Sequence, residues 1–271
     1  MVCYAPIIGY RSRELTQDGK RQITFNKKQS LTGEMVKLPC GQCVGCRLER
    51  SRQWATRCMH EASLYDNNCF ITLTYNDANL PENWSLVPED FQKFMKRLRK
   101  KYGAGIRYYH CGEYGDLNKR PHYHAILFNH DFADKTLWRQ GDHPLYRSAE
   151  LEKLWKLGFS TIGEMTFESA AYVARYCMKK RTGDQAEEHY GGRLPEYATM
   201  SRRPGIGKDW LMRYMSDVFP DDFVVVNGKK CTVPRYYEEL YKEEEESKYR
   251  KIKARRKRKG LKHKSEQVME R

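Results

Sequence analysis

The stretch YYHCGEYGDLNKRPHYHAILF, residues 108–128, carries one carboxylate and two imidazoles at a spacing that can build a metal site: Glu113, His122 and His124. The two histidines are two residues apart. On an extended chain both leave the same face, while Tyr123, Ala125 and Leu127 leave the other. Two ring nitrogens and a carboxylate oxygen can converge on one divalent ion and leave positions open for water or a substrate oxygen. Residue chemistry alone suits zinc as well as manganese or magnesium. Upstream, PCGQCVGCR places Cys40, Cys43 and Cys46 at C-x2-C-x2-C spacing within one or two tight turns. A closed structural zinc site needs a fourth thiolate, for which Cys3 and Cys58 are the candidates; an iron–sulfur cluster is the second option, behind zinc. Downstream, ESAAYVARYCMKK reads as a helix in which Tyr172 and Tyr176 lie one turn apart, with Lys179 three residues further on nearly the same face. A phenol ionises only near pH 10, so as a nucleophile toward phosphorus it needs a metal-polarised phosphate or a nearby cation. The carboxylate–histidine group offers the first and Lys179 the second.

The elements that position these groups follow from patterning. Apolar-rich runs at 106–112 and 122–128 flank the turn-forming GDLNKRP, which marks a β-hairpin with Glu113 at the end of its first strand, roughly opposite His122. Residues 47–65 repeat Leu48, Ala55, Cys58, Met59, Ala62 and Tyr65 at helical spacing, and CFITLTY (69–75) reads as a buried strand. A helix at 88–102, ended by Gly103, turns Phe91, Phe94, Met95 and Leu98 inward and a row of lysines and arginines outward. Residues 130–146 read as polar and irregular, Ser148 as the cap of a short helix stopped by Gly158, and 159–166 as a strand. A further strand is expected at 21–25, and residues 168–180 form the tyrosine helix. The order predicts an α+β domain with an antiparallel or mixed sheet and helices on one face. Residues 182–207 read as a loop insertion, 208–218 as a helix, and 221–233 as a hairpin turning at Asn227-Gly228. From Tyr236 the composition is low-complexity and charged, which predicts a frayed helix or disorder. The division expected is a Cys-rich segment at 1–46 packed on the core, a catalytic domain at 47–235, and a basic tail at 236–271.

The 271 residues include 50 Lys and Arg against 35 Asp and Glu, a formal charge of +15, so a polyanionic partner is expected and nucleic acid is favoured over a membrane surface. The tail segment YRKIKARRKRKGLKHK can hold DNA through its phosphates without reading sequence. No apolar run approaches the length of a membrane span and the N-terminus lacks an apolar signal region, which points to a cytoplasm. Nine cysteines in such a chain predict reduced thiols or metal ligands rather than a disulfide framework.

A strand like FITLTY, a strand with His-hydrophobic-His and a helix with paired tyrosines, in that order, resemble the HUH endonuclease superfamily. The combination of CGQCVGCRLERSRQWATRC, CFITLTYND, CGEYGDLNKRPHYHAILF and YVARYCMKK, spanning Cys3 to about Lys180, resembles the replication initiators of gokushovirus-type microviruses, small single-stranded DNA phages. That resemblance implies an HUH-type nuclease fold and rolling-circle initiation, in which one strand is nicked, the 5′ end is kept as a phosphotyrosine and the ends are later rejoined. It implies that His122 and His124 bind Mg2+ or Mn2+, that Glu113 is an acidic third ligand, and that Tyr172, Tyr176 and Lys179 form a Y-x3-Y-x2-K nucleophile motif. The implied partners are single-stranded DNA at the origin, the supercoiled duplex replicative form, and host helicase and polymerase in the bacterial cytoplasm, with no membrane and no small-molecule substrate. Two alternatives stand beside it. One is a non-catalytic zinc-containing nucleic-acid-binding protein, and the other is a related tyrosine transposase or relaxase.

Overall fold

Most apolar residues between Asn68 and Gly163 fall in short β-branched or aromatic runs separated by helices, and this pattern sets the architecture. The computed structural model describes residues 3–17, 19, 21–116, 118–176, 180 and 185–269, and divides the chain into two units, Met1–Arg52 and Gln53–Arg271. In the first unit β1 (Ile7–Leu15), β2 (Arg21–Thr24) and β3 (Ser30–Leu38) form an antiparallel sheet in the order β2-β1-β3. Only β2 was legible in the sequence, because β1 and β3 carry mostly exposed side chains and no clean alternation. The helix α1 (Val44–Ala62) starts three residues before the expected Arg47, since nothing between Cys43 and Arg47 breaks a helix once the turn at Gly41 is passed.

In the second unit the elements run β4 (Asn68–Tyr75), α2 (Pro88–Tyr102), β5 (Arg107–Tyr114), β6 (Pro121–Phe128), β7 (Thr136–Arg139), β8 (Leu145–Arg147), α3 (Ala149–Trp155), β9 (Gly158–Gly163), α4 (Phe167–Tyr176), α5 (Gln185–Tyr190) and β10 (Tyr197–Met200). After these come α6 (Lys208–Val218), β11 (Val224–Val226), β12 (Lys229–Cys231), α7 (Arg235–Glu244) and α8 (Glu246–Met269). Seven strands form one sheet in the order β10-β5-β6-β4-β9-β8-β7, and every neighbouring pair is antiparallel. The α+β class with a helix-flanked antiparallel sheet is therefore as expected.

Helices cover both faces of this sheet, not one. The reason is that β4, β5 and β6 are apolar on both sides. Ile71, Leu73, Tyr123, Ala125 and Leu127 face α2 and α3, where Phe91, Phe94, Leu98, Leu151 and Trp155 complete a first core. Tyr109, Cys111, Ile126 and Phe128 face the other way into a second core with Ala55 and Cys58 of α1 and Ala170, Val173 and Ala174 of α4. The alanines let both helices approach closely. Burial at about 25 cal/mol per Å2 of apolar area makes these two layers the main support of the central strands.

Two stretches read as irregular hold strands. Residues 130–146 contain β7 and most of β8, and 182–207 contain α5 and β10, which pairs along β5 from Tyr197↔Gly112 to Met200↔Tyr109. Conversely β9 stops at Gly163, short of Thr166. The helix α3 is capped by Ser148, whose Oγ accepts from Leu151 N at 3.0 Å, and leaves at Lys156 in a left-handed conformation rather than at Gly158. Gly158 serves the sheet instead. At φ +154° it lies against β4, where a Cβ would stand 2.3 Å from Asn76 N. The hairpin β11-β12 turns at Asn227 and Gly228, both with positive φ, as expected. The charged segment after Tyr236 is folded helix at its start, because Tyr237, Leu240, Tyr241 and Ile252 fall on one side and join Leu211, Val218 and Phe219 in a third core. Among the described residues no helix is long and apolar enough to cross a membrane.

Candidate functional site

The β5-β6 register pairs Glu113 with His122 and Cys111 with His124, so the carboxylate and both imidazoles share the sheet face covered by α4. His122 Nε2 and His124 Nε2 each lie 2.9 Å from Glu113 Oε1. The remaining ring nitrogens are also held: His122 Nδ1 is 3.0 Å from the Arg120 carbonyl oxygen, and His124 Nδ1 is 2.9 Å from Thr72 Oγ1. A carbonyl only accepts, so His122 Nδ1 carries a proton and, in the neutral ring, Nε2 presents a lone pair. That lone pair faces a carboxylate oxygen that is itself an acceptor. The two repel unless a cation lies between them.

Glu113 is 2% exposed, and its Oε2 has no hydrogen-bond partner among the described residues. Burying a carboxylate with one oxygen unpaired is costly for a bare anion. The same arrangement fits a divalent ion, since one atom from each of Glu113, His122 and His124 lies within 4.8 Å of the others. Thr72 and the Arg120 carbonyl then act as the outer partners that fix ring orientation. His110, three residues before Glu113, takes no part. Strand alternation sends it to the opposite face, stacked on Phe91 at 3.5 Å, where burial drives its pKa well below the usual histidine range.

Helix α4 brings Tyr172 onto the same group. Its ring stands edge-on to His124 at 5.1 Å and to Phe70 at 6.3 Å. Beside it opens a cleft of about 420 Å3 lined by Thr72, His124, His143, Ser169, Tyr172 and Arg175 among others. Arg175 is exposed and stands three residues after Tyr172, so a cation and a hydroxyl reach the same opening. Tyr176 is the last residue of α4; its side chain and Lys179 lie outside the described residues. The sequence reading missed Thr72, His143 and Arg175. Thr72 is indistinguishable from an ordinary strand former until the sheet order sets it opposite His124.

The second cluster assembles in the first unit. Cys3, Cys40, Cys43 and Cys46 place their Sγ atoms within 4.8 Å of one another, with Cys3 3.7 Å from Cys40 and 3.9 Å from Cys43. The pairing Ile7↔Leu38 brings Cys3, just before β1, beside Cys40, just after β3. Gly41, with φ +75°, then turns the chain so that Cys43 N–H donates to Cys40 Sγ at 3.3 Å, while Cys40 N–H donates to Cys3 Sγ at 3.3 Å. Amide donation favours thiolate: the Cys43 amide lowers the Cys40 pKa, and the amides of Cys46 and Tyr4 bring Cys43 down to about 6, whereas burial pushes Cys46 up to about 12. Cys58, the other candidate for fourth ligand, is fully buried in the second core beside Ala55, and burial raises its thiol pKa. It belongs to the packing.

The family model for the replication-associated proteins called ORF2 or gene-2 protein matches residues 68–181, a span that includes β4, the β5-β6 hairpin and α4. Replication-associated protein VP4 of Bdellovibrio phage phiMH2K is 36% identical over 238 residues, which cover 84% of this chain and 74% of that protein. Replication-associated protein ORF2 of Spiroplasma virus 4 is 37% identical over 74% of this chain and 66% of its own length. Replication-associated protein ORF4 of Chlamydia phage 1 is 32% identical over 75% of this chain and 53% of its own length. No solved structure matches the chain. With the resemblance to microvirus-type initiators carried by the same motifs, these matches show that the chain belongs to the family of phage replication-associated proteins.

Proposed function

We propose that this chain initiates rolling-circle replication as a site-specific single-strand DNA endonuclease and strand transferase of HUH type, with its nicking domain in residues 47–235. The observation that carries the reading is the placement of Tyr172 against His124 in the Glu113, His122 and His124 group. A divalent ion, Mg2+ or Mn2+, held by those three residues would polarise the scissile phosphodiester and offset the charge developing on it. Tyr172 Oη attacks phosphorus in line, the bond to the 3′ oxygen breaks, and that oxygen leaves as a 3′ hydroxyl once protonated. The 5′ phosphate stays on the tyrosine. Because a phosphodiester is exchanged for a phosphodiester, no external energy source is needed for the later reversal.

Tyr176, one turn on, serves the second cleavage, after which the released 3′ hydroxyl attacks the first phosphotyrosine and closes the circle. Lys179 lowers a phenol pKa or neutralises the phosphate. Arg175 offers a charge-assisted donor to a phosphate entering the cleft beside Tyr172. The basic helix α8 holds DNA on either side through its backbone, with affinity that falls as salt rises. The substrates are origin DNA as a single strand and as the supercoiled replicative form, and the setting is the host cytoplasm with its helicase and polymerase.

The test is incubation of the protein with labelled single-stranded segments of the phage genome and Mn2+ or Mg2+, followed by denaturing electrophoresis. A metal-dependent covalent protein–DNA band is expected, lost in the Tyr172→Phe/Tyr176→Phe double variant and in His122→Ala/His124→Ala. Absence of any adduct on every segment, with salt-sensitive binding retained, would instead support a non-catalytic binder.

A further inference from the structure

The first unit presents a problem of stability. Of its described residues, the only buried apolar side chain is Cys46, and none of the three hydrophobic cores contains a residue before Trp54. The side chains that its sheet offers as a core stand in the open instead: Ile7, Ile8, Ile23, Leu31 and Met35 are 44%, 46%, 38%, 50% and 68% exposed. A three-stranded sheet without a buried face does not hold itself together in water. Chains of this size that lack a core are normally closed by disulfides or by a metal. Among the described residues every cysteine is a free thiol, which leaves the metal.

We propose that Cys3, Cys40, Cys43 and Cys46 bind one Zn2+, and that this ion replaces the missing core of residues 3–52. Four thiolates at a Zn–S length of about 2.3 Å stand on a tetrahedron whose edges are about 3.8 Å. The Cys3–Cys40 and Cys3–Cys43 separations of 3.7 and 3.9 Å match that edge. The ligands also come from the right places. Cys3 precedes β1, Cys40 follows β3, and Cys43 and Cys46 flank the start of α1, so one ion ties the two ends of the sheet to the helix that leaves it. The amide donors on Cys3 and Cys40 sulfur supply the outer-shell bonds a thiolate site uses. In such a site the binding free energy of the metal is folding free energy. The site is closed, with four protein ligands and no position for substrate, which separates it from the Glu113 group.

The proposal is tested on the full-length protein, purified in reducing buffer, by metal analysis and amide hydrogen exchange. About one zinc per chain is expected to survive in His122→Ala/His124→Ala and in the control Cys231→Ser, and to be lost in Cys40→Ser/Cys43→Ser. Cys43→His, which keeps a ligand at that position, is expected to retain the metal. Exchange with Co2+ should give the thiolate-to-cobalt charge-transfer bands of a tetrahedral sulfur site. Zinc loss should abolish amide protection across β1, β2 and β3 and leave β4, β5 and β6 protected. The proposal is overturned if zinc content does not depend on these cysteines, if the purified protein carries iron and acid-labile sulfide, or if the first sheet stays protected after the metal is stripped. None of these readouts uses nicking activity.

Discussion

The two clusters of metal-ligating side chains stand in opposite surroundings, and the contrast separates two uses of a metal. Glu113, His122 and His124 project from adjacent strands packed between two hydrophobic layers, so their scaffold persists whether or not an ion is bound. The four cysteines sit at the loose ends of a small sheet with no apolar interior. Three ligands on a rigid frame leave coordination positions for a substrate oxygen, whereas four on a soft frame fill the shell and create the frame. A carboxylate–imidazole set also suits a hard ion that exchanges water, while thiolates suit one that stays.

The sharpest way to break this contrast is Glu113→Gln. The amide keeps the shape but loses the charge, so nicking should fall on the order of 10³-fold, measured as initial adduct formation. In metal-free protein the melting temperature of the second unit should hold or rise, because an amide N–H can donate to the imidazole lone pairs that now face a carboxylate. A large drop in melting temperature would mean that the group is a structural ion pair rather than an open metal site.

Acid should act on the second unit through a histidine that is not a ligand. His60 lies with Nδ1 3.0 Å from Tyr237 Oη and its ring stacked on Trp210 at 3.5 Å, and burial lowers its pKa to about 4. An unfolded histidine near pH 6.5 binds the proton that the folded one refuses, so this contribution is complete above the unfolded pKa and is lost as pH falls toward 4. The loss amounts to on the order of 3 kcal/mol at most, discounted for residual solvent contact. Denaturant titrations of wild type and His60→Gln between pH 7 and 4 check it; the variant should show the shallower decline.

A smaller effect is expected from Thr72→Val, which removes the Oγ1 partner of His124 Nδ1 and leaves the fold alone. Manganese affinity, measured by calorimetry, should weaken by about 10- to 100-fold. Smaller again is Arg175→Gln at the mouth of the cleft, expected to weaken single-strand binding by roughly fivefold and to flatten its salt dependence slightly, with adduct yield at saturating DNA unchanged.

How much of this was legible in the sequence depended on whether a residue's role is set by near or distant neighbours. The α2 boundaries and the pairing of Glu113 with His122 follow from local turn and strand chemistry, and they stand as read. The helix after Gly207 is equally local. β7 was missed because all four of its residues are exposed, and an edge strand with two wet faces leaves no alternation to find. β10 is hidden among Gly, Pro and charged residues and is a strand only because β5 offers it a partner. Helices on both sheet faces, Thr72 as a histidine partner and Cys3 as the fourth thiol all depend on contacts dozens of residues apart, which spacing cannot report.

The central claim, that Tyr172 is the nucleophile served by the Glu113, His122 and His124 group, is tested most directly by finding the covalent bond itself. Trypsin cuts at Arg175, so the peptide 157–175 carries Tyr172 and the peptide 176–179 carries Tyr176. After a short reaction with origin DNA and Mn2+, nuclease trimming and mass spectrometry, the residual nucleotide should be attached to Tyr172 in the first peptide. Attachment confined to the second peptide, or no attachment to either, would contradict the account.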